Sequence, residues 1–532
     1  MMLNKSVKLI KSTYLLLILI GFLGACSKST DNPAKPDPKP PVKPEEEITY
    51  SSDYKYNLNV IYFVPKDVTP NPDYEERISK ILIEGQNFFS KWMKHWGFGD
   101  KTYGLLKNKE NTRVKIHLIR GPEDAIAYAT NKPIEELFYK YFQDNPTAKS
   151  SDHYLILTAT NKKLDQGEEI GHEVPFYGVG RTCYALDYPG MKQENLGKGG
   201  TISEKATVYI GGLLHEMGHG INLPHNGPSA SKINDPQFGM TLMGSGNYTY
   251  GKSPTYLSFF DAATLNNCQV FSKETKTFYE PVTAKVNTIQ AKVENNEIVI
   301  NGTYAASNTV KHITFKNILA TDPQGYQSIT FTTVPGAGNT FSVKMPVSEF
   351  RTKANMEYSL EIFFHHENGN KTSVFYPFKF VNDQPVVDFG DRTMLSRTGW
   401  EVIAYSSQQG GLEASKMLDG NDNTYWHTSW TTPTPHPHYV TIRTGAAAVT
   451  AQGLSYLNRH DNSGNGGKIK NFKIEISNDG NSWTKVDDYV GHLNGRQYYS
   501  FNGSKTFQYI KLTTSSDYEG KTHATIAELN LY

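Results

Sequence analysis

The chain has 532 residues, which is too many for one hydrophobic core, so we expect two to four domains. Its 54 basic and 53 acidic side chains nearly cancel, which excludes the strong positive field by which proteins attract nucleic acids or acidic membrane surfaces. Hydrophobic residues make up 38% of the chain, with 33 Tyr and 26 Phe, enough for packed domains rich in β structure.

The N-terminal segment is typical of a targeting signal. Three lysines precede an apolar stretch, residues 14–22, that is too short to span a bilayer, and no later segment is apolar enough to do so. The signal ends in LGAC at residues 23–26, which resembles a bacterial lipobox. The resemblance implies acylation of Cys26 and a lipid anchor at the outer membrane or cell surface, since Ser27 is not a retention signal. An ordinary secretory signal is the alternative. Residues 27–47 are rich in Pro and charge and predict an extended linker.

Residues 48–278 predict an α+β domain in which strands and helices alternate. The apolar runs at 59–64, 114–119 and 153–157 predict strands, in which His117 and His153 are ordinary residues. Asn71 as N-cap and Pro72 at the first position predict the start of a long helix. Further helices are expected over 211–220 and at about 255–267. Outside the cytoplasm Cys183 and Cys268 can pair as a disulfide or remain two buried thiols, and the sequence leaves both open.

The strongest chemical signal is the pattern H-E-x-x-H on the second long helix. His215 and His219 are four residues apart, so a helix presents both imidazoles to one ion. Glu216 lies beside them, near enough to deprotonate a water whose pKa zinc lowers to about 7. A third ligand is needed, and His225 supplies it if the chain turns back. Asn222 tolerates the left-handed conformation that such a turn requires, and Pro224 prevents the helix from continuing.

This segment resembles the metzincin pattern H-E-x-x-H-x-x-G-x-x-H, with Asn222 in place of Gly. The resemblance implies a zinc endopeptidase with a Met-turn beneath the metal, for which Met243 is the candidate and Met240 the weaker one. It also implies a Tyr near the metal in some relatives, and Tyr248 follows the turn at a suitable place.

A gluzincin-like arrangement, with an acidic third ligand on a later helix, is the rival arrangement. Glu274 is the first Glu after Glu216 but lies in a polar stretch without a helical stripe. Asp235 and Asp261 are the remaining substitutes, and the three-histidine set is preferred.

Residues 279–385 contain only short strands separated by turn residues, which predicts an immunoglobulin- or fibronectin-like β-sandwich. His365 and His366 are adjacent, so they point to opposite faces of a strand and are poorly placed to chelate. No site is expected in this domain, and we interpret it as a spacer.

Residues 386–532 resemble a coagulation factor V/VIII type C (discoidin) domain of the family 32 carbohydrate-binding type. The resemblance rests on the stretches 414–430, 456–459, 472–483 and 526–529. It implies a β jelly roll in which Trp426 and Trp483 are core residues, with sugar-binding loops at one end. Oxygen-rich side chains suit a structural Ca²⁺, with a solvated turn as the alternative. The calcium candidates are Asp419, Asn421, Asp422, Thr424 and Glu528. The carbohydrate-binding candidates are His427, Trp430, Arg459, Asn465 and Tyr518.

Together these features predict a monomeric, surface-anchored zinc endopeptidase that acts on glycoproteins such as mucins, with glycan targeting by its last domain. Fold-level resemblance does not fix a substrate, so two alternatives remain. One is a glycan-binding adhesin with an inactive protease domain, and the other is a zinc hydrolase that does not cleave proteins.

Overall fold

The computed structural model describes residues 48–128, 130–159, 177–389, 392–459, 464–493 and 495–532. The predicted signal segment, the lipidation of Cys26 and the linker at 27–47 lie outside the described residues. Within the described residues, no helix combines the length and apolar character needed to cross a membrane.

The N-terminal region is a mixed five-stranded sheet between two layers of helices. The strand order is β2-β1-β3-β5-β4, with β4 antiparallel and the others parallel. All residues of β1, β3 and β5 are buried, as expected for parallel strands covered on both faces. One apolar core lies against α1 and α3, and the other lies against α2. The strands are β1 (Asn59–Val64), β2 (Ile116–Arg120), β3 (Tyr154–Ala159), β4 (Tyr177–Val179), β5 (Thr182–Asp187), β6 (Met240–Thr241) and β7 (Thr255–Tyr256), and the helices are α1 (Tyr74–His95), α2 (Asn131–Asp144), α3 (Thr201–Gly220), α4 (Ala230–Ile233) and α5 (Phe259–Asn266).

The predicted start of the first helix is wrong by two residues. The helix begins after Asp73, whose φ is 54° and whose side chain makes no capping bond. The Asn71 amide instead donates to the backbone carbonyl of Asp187 at 2.8 Å. Asp187 is fully buried and also binds Arg77 at 2.7 Å, so a long-range polar contact takes the side chain that local preference would use as a cap.

The middle region is an antiparallel β-sandwich with its own core. Its two sheets have the orders β12-β9-β8 and β11-β10-β13-β14-β15. Because β15 still pairs with β14 and Phe389 is buried in the same core, the sandwich extends beyond the predicted end at 385. The strands are β8 (Ala284–Glu294), β9 (Glu297–Ala306), β10 (Val310–Leu319), β11 (Ile329–Thr333), β12 (Thr340–Pro346), β13 (Glu357–His366), β14 (Lys371–Val381) and β15 (Gln384–Val387).

The C-terminal region is a second antiparallel sandwich, with sheets β16-β18-β23-β20-β21 and β22-β19-β25 and a short β17-β24 pair. Trp426 lies in its core, as predicted, and its indole N–H donates to the Ser407 carbonyl at 2.9 Å. Trp483 is only half-buried, beneath the Lys511 ammonium, so its assignment to the core is wrong. The strands are β16 (Glu401–Tyr405), β17 (Trp426–His427), β18 (His438–Arg443), β19 (Val449–Leu457), β20 (Ile469–Ser477), β21 (Thr484–Val490), β22 (Arg496–Phe507), β23 (Tyr509–Asp517), β24 (Thr525–Ile526) and β25 (Glu528–Leu531).

Candidate metal centre and active site

Three imidazoles converge at the end of α3. The Nε2 atom of His225 lies 2.9 Å from that of His219 and 3.3 Å from that of His215. Among the described residues, these three side chains form the one group of His, Cys, Asp or Glu whose ligand atoms cluster closely enough to hold a metal ion. His225 therefore lies beside His215 and His219, where the sequence predicted a third histidine.

The opposite nitrogen of each ring faces a backbone carbonyl. Nδ1 of His215 lies 2.7 Å from the Leu242 oxygen, and Nδ1 of His219 lies 2.7 Å from that of Leu223. Nδ1 of His225 lies 3.1 Å from the oxygen of Gln324. A carbonyl can only accept, so each Nδ1 carries the proton and each Nε2 presents a lone pair to the centre.

Three lone pairs that point at one another repel unless a cation lies between them. Burial lowers the pKa of His219 to about 4 and that of His225 to about 3, which keeps both rings neutral, as metal ligands must be. Three neutral imidazoles with the fourth position open are the donor set of catalytic zinc sites. The residues present thus fit a zinc ion.

The turn after α3 delivers His225. Asn222 has a φ of 78°, so the predicted left-handed residue is confirmed. The Leu223 N–H donates to the Gly218 carbonyl and the Asn222 N–H to that of His219, both at 2.9 Å. This pair of bonds is the Schellman pattern, which ends a helix and reverses the chain.

Met243, the candidate for the Met-turn, packs against the turn of α3 that carries His215 and His219. It is fully buried, and a Cβ at Gly218 would lie 2.4 Å from its sulfur, so it contacts the last turn of α3 directly. Met240, the weaker candidate, lies in the short strand β6. Tyr248 is 62% exposed, and the recorded contacts of the three histidines within the described ranges do not include it. Met243 therefore packs against α3, whereas the Tyr248 side chain is largely exposed to solvent.

Glu216 lies beside the centre and under the short edge strand β4. Burial raises the pKa of Glu216 to about 7. A Cβ at Gly178 in β4 would lie 2.5 Å from the Cβ of His219 and 3.3 Å from the Glu216 carboxylate. Only glycine lets β4 pass this close to α3, so β4 packs directly against the helix turn that carries Glu216 and His219.

The three acidic residues that the sequence offered as alternative ligands do not join the histidine group. Asp261 is buried in the capping box of α5 and accepts from the Asn226 amide at 2.7 Å. It thereby fixes the residue that follows His225. Glu274 is exposed in a loop, and neither it nor Asp235 joins the histidine group.

The middle sandwich reaches the centre, so its interpretation as a spacer without a site is wrong. The loop between β10 and β11 supplies the Gln324 carbonyl that holds His225, and the Tyr326 ring stacks on the His225 ring at 3.7 Å. Sequence periodicity assigns strands but does not show where their loops dock. An aromatic residue in a loop rich in turn residues (DPQGYQ) was the available signal.

The other histidine and cysteine predictions can also be compared with the structure. Nε2 of His365 lies 2.9 Å from the Thr314 hydroxyl, and that of His366 lies 2.8 Å from the hydroxyl of Thr372, so both rings make contacts within the sandwich, away from the three-histidine group. Cys183 and Cys268 are both buried free thiols, which decides the alternative that the sequence left open.

The carbohydrate-binding candidates are only partly brought together. The His427 and Trp430 rings meet edge-to-face at 4.8 Å, and Trp430 is 50% exposed, as a sugar-stacking ring must be. The ring of His523, a residue that the sequence did not indicate, lies beside that of His427, with 5.4 Å between the two ring centroids. The remaining candidates make other contacts. The Arg459 guanidinium donates to the Gly466 carbonyl at 2.8 Å, the Asn465 N–H donates to Glu519 at 2.8 Å, and the Tyr518 hydroxyl donates to the Gly491 carbonyl.

The calcium candidates do not form a common carboxylate cage. The Glu528 carboxylate pairs with Arg397, and Asp422 pairs with Arg496 at 2.6 Å. Asp419 accepts from the Thr424 hydroxyl at 2.7 Å, and Asn421 accepts from the backbone of Asn423. Two guanidinium groups thus pair with carboxylates that the sequence assigned to a cation, and local sequence does not indicate these pairs because each arginine is remote from its partner in the chain.

Two different sets of known proteins are similar to this chain, and the first set matches its C-terminal region. The F5/8 type C domain family matches residues 401–529, which confirms the predicted C-terminal domain. A galactose oxidase of Gibberella zeae is 27% identical over 172 residues, which are 31% of this chain and 24% of the oxidase. A sialidase of Micromonospora viridifaciens is 31% identical over 149 residues, 26% of this chain and 22% of the sialidase. The match thus covers about a quarter of the length of these curated relatives.

A second match covers more than half of the chain. The crystal structure of OgpA from Akkermansia muciniphila is 33% identical, with a TM-score of 0.57, over 62% of this chain and 94% of that protein. A catalytically inactive OgpA was solved in complex with an O-glycopeptide (glycodrosocin) substrate. It is 32% identical, with a TM-score of 0.58, over 63% of this chain and 96% of that one.

Proposed function

The chain belongs to the family of OgpA, and from this membership we propose that it is a zinc-dependent endopeptidase of the metzincin type that cleaves O-glycosylated polypeptides. The observation that carries the proposal is the convergence of three Nε2 lone pairs beside a buried Glu216. The inactive relative holds an O-glycopeptide as its substrate, which supports the substrate class.

In the proposed reaction, His215, His219 and His225 hold the ion. Zn²⁺, when bound, supplies a Lewis acid that polarises the scissile carbonyl and acidifies water. Glu216 accepts a proton from the attacking water while the C–O bond forms at the carbonyl carbon. Glu216 then gives this proton to the amide nitrogen as the C–N bond breaks. The second proton of the water passes from the new carboxyl group to the amine, so the products at neutral pH are a carboxylate and an ammonium group, which is the balance of peptide hydrolysis.

The surrounding residues hold this machinery in place. The carbonyls of Leu242, Leu223 and Gln324 orient the imidazoles through their Nδ1 protons, a contribution worth 10–100-fold in metal affinity at known sites. Gly178 keeps β4 close to Glu216 and limits the water that reaches the carboxylate.

We further propose that the C-terminal domain tethers the enzyme to glycans through the exposed Trp430 ring and its neighbour His427. A weak sugar contact raises the local concentration of glycosylated substrate without taking part in the reaction. Trp430→Ala should weaken binding to immobilised mucin and leave cleavage of a short glycopeptide unchanged. Trp483→Ala, beneath Lys511, is the matched control. We also propose that the chain is anchored to the membrane by a lipid on Cys26.

The decisive experiment compares the protein with Glu216→Gln on three substrates: an O-glycosylated mucin-type protein, the same protein after enzymatic deglycosylation, and casein. Mass spectrometry of the products should show cleavage of the glycosylated form by the wild type only. Glu204→Gln, an exposed position on the same helix, should retain full activity.

Other outcomes have distinct meanings. Equal cleavage of all three substrates would support a protease without glycan dependence. Glycan binding without any cleavage would support the adhesin alternative. Release of sugars or cell-wall fragments in place of peptides would support a hydrolase of another class.

A further inference from the structure

The loop between β10 and β11 packs closely against the segments that follow His225 and Met243. A Cβ at Gly227 would lie 2.7 Å from the Tyr326 carbonyl oxygen, and one at Gly244 would lie 3.1 Å from the same atom. The Gly227 N–H also donates to the Ser328 carbonyl at 2.8 Å. Two glycines thus leave room for the Tyr326 backbone, one beside His225 and one beside Met243.

The loop is braced from within. The Gln327 N–H donates to the Asp322 carboxylate at 2.6 Å, and the Ser328 N–H donates to the Gly325 carbonyl at 3.1 Å. Gly325 has a φ of 84° and lies against the side chain of Lys316, where a Cβ would be 2.9 Å from the ammonium nitrogen. This bracing fixes the direction in which the next residue, Tyr326, points.

The Tyr326 ring covers the third ligand. Its centroid lies 3.7 Å from that of His225 with an interplanar angle of 27°, and 6.2 Å from that of His215 with an angle of 11°. Stacking over His225 restricts rotation of a ring whose only described backbone bond is the one to Gln324.

The hydroxyl of Tyr326 is available to a substrate. The residue is 37% exposed, and within the described ranges its hydroxyl has no hydrogen-bond partner. A phenol has an ordinary pKa of about 10, so the hydroxyl keeps its proton at neutral pH, and the ring that carries it lies against His225 with a centroid distance of 3.7 Å. Tyr326 thus offers a donor beside the reacting centre.

We propose that Tyr326 is a catalytic residue contributed by the middle sandwich. Its ring positions His225, and its hydroxyl donates a hydrogen bond to the carbonyl oxygen of the scissile peptide, on which negative charge develops. No covalent bond to Tyr326 forms or breaks, and its proton stays on the phenol. The inference rests on the proposed peptidase function and adds that the active unit comprises two domains.

The test separates the two roles with Tyr326→Phe, which keeps the ring, and Tyr326→Ala, which removes it. Tyr326→Phe should lower kcat by roughly 10²-fold, the usual loss of one donor to a developing oxyanion, with KM within about threefold and zinc affinity unchanged. Tyr326→Ala should show the same loss and also bind zinc more weakly in a chelator competition. Tyr139→Phe, on the surface of α2, is the control for loss of a phenol.

Each outcome decides the matter. Wild-type kcat in Tyr326→Phe overturns the catalytic role. A loss of kcat in Tyr326→Phe that is fully explained by lower zinc content also overturns the catalytic role. The same holds if kcat falls in Tyr248→Phe but not in Tyr326→Phe. An inactive wild type would refute the proposed function itself, whereas an active wild type with an active Tyr326→Phe refutes only this inference.

Discussion

Replacing Asn222 tests whether the left-handed turn after α3 delivers the third ligand. Asn222 has a φ of 78°, and its side-chain amide donates to the Tyr279 hydroxyl at 3.1 Å. An L-residue without a short polar side chain pays about 1–2 kcal/mol for this conformation. Loss of the hydrogen bond adds about 1 kcal/mol. Asn222→Ala should therefore cost about 2 kcal/mol, whereas Asn222→Gly loses only the hydrogen bond and should cost about 1 kcal/mol or less.

The cost should appear in two measurements. Calorimetry of the metal-free protein should show a lower unfolding midpoint, with the alanine variant below the glycine variant. If the whole cost falls on placing His225, about 2 kcal/mol corresponds to roughly 30-fold weaker zinc binding in a chelator competition. An alanine variant equal to the wild type, or a glycine variant worse than the alanine variant, would refute the reasoning.

Three further predictions concern the strand next to α3, the metal ion and a buried histidine. Gly178→Ala should abolish most cleavage with little change in circular dichroism, because its Cβ would lie 2.5 Å from that of His219. EDTA should abolish cleavage and lower the unfolding midpoint, and added Zn²⁺ should restore both, since the ion binds only the folded centre. Burial lowers the pKa of His153 to about 4, so its contribution to stability is present above about pH 6.5 and is lost as the pH falls towards 4, in total about 3 kcal/mol. The free energy of unfolding, measured with urea between pH 7.5 and 4.5, should therefore fall less steeply for His153→Gln than for the wild type. The same dependence on pH in both proteins would contradict this.

The sequence predicts the parts of the centre that depend on local geometry. Two ligands follow from a four-residue spacing on a helix, and the third follows from Asn222 and Pro224 in the turn. The β1 strand and the C-terminal domain are likewise encoded in short, strongly patterned stretches. Such features need no knowledge of the rest of the fold.

The features that the sequence missed all depend on partners remote in the chain. Asn71 does not cap α1 because Asp187 binds its side chain, and Glu528 pairs with Arg397, which lies 131 residues away. Tyr326 comes from a domain that begins after the last helix of the N-terminal region. Periodicity in the sequence does not indicate such contacts, because they form between residues that only the folded structure brings together.

The docking of the middle sandwich also accounts for the Asn that replaces Gly in the metal-binding pattern. Glycine would satisfy the left-handed turn but offers no side chain to anchor it. Asn222 is held at two points, because its side-chain amide donates to Tyr279, which lies between α5 and β8, and its backbone carbonyl accepts from the half-buried Lys371 of β14. The third ligand itself is held by Gln324 from the same sandwich. A turn stabilised by a neighbouring domain can tolerate the modest strain of Asn, so the departure from glycine and the contribution of the second domain to the site have one physical cause.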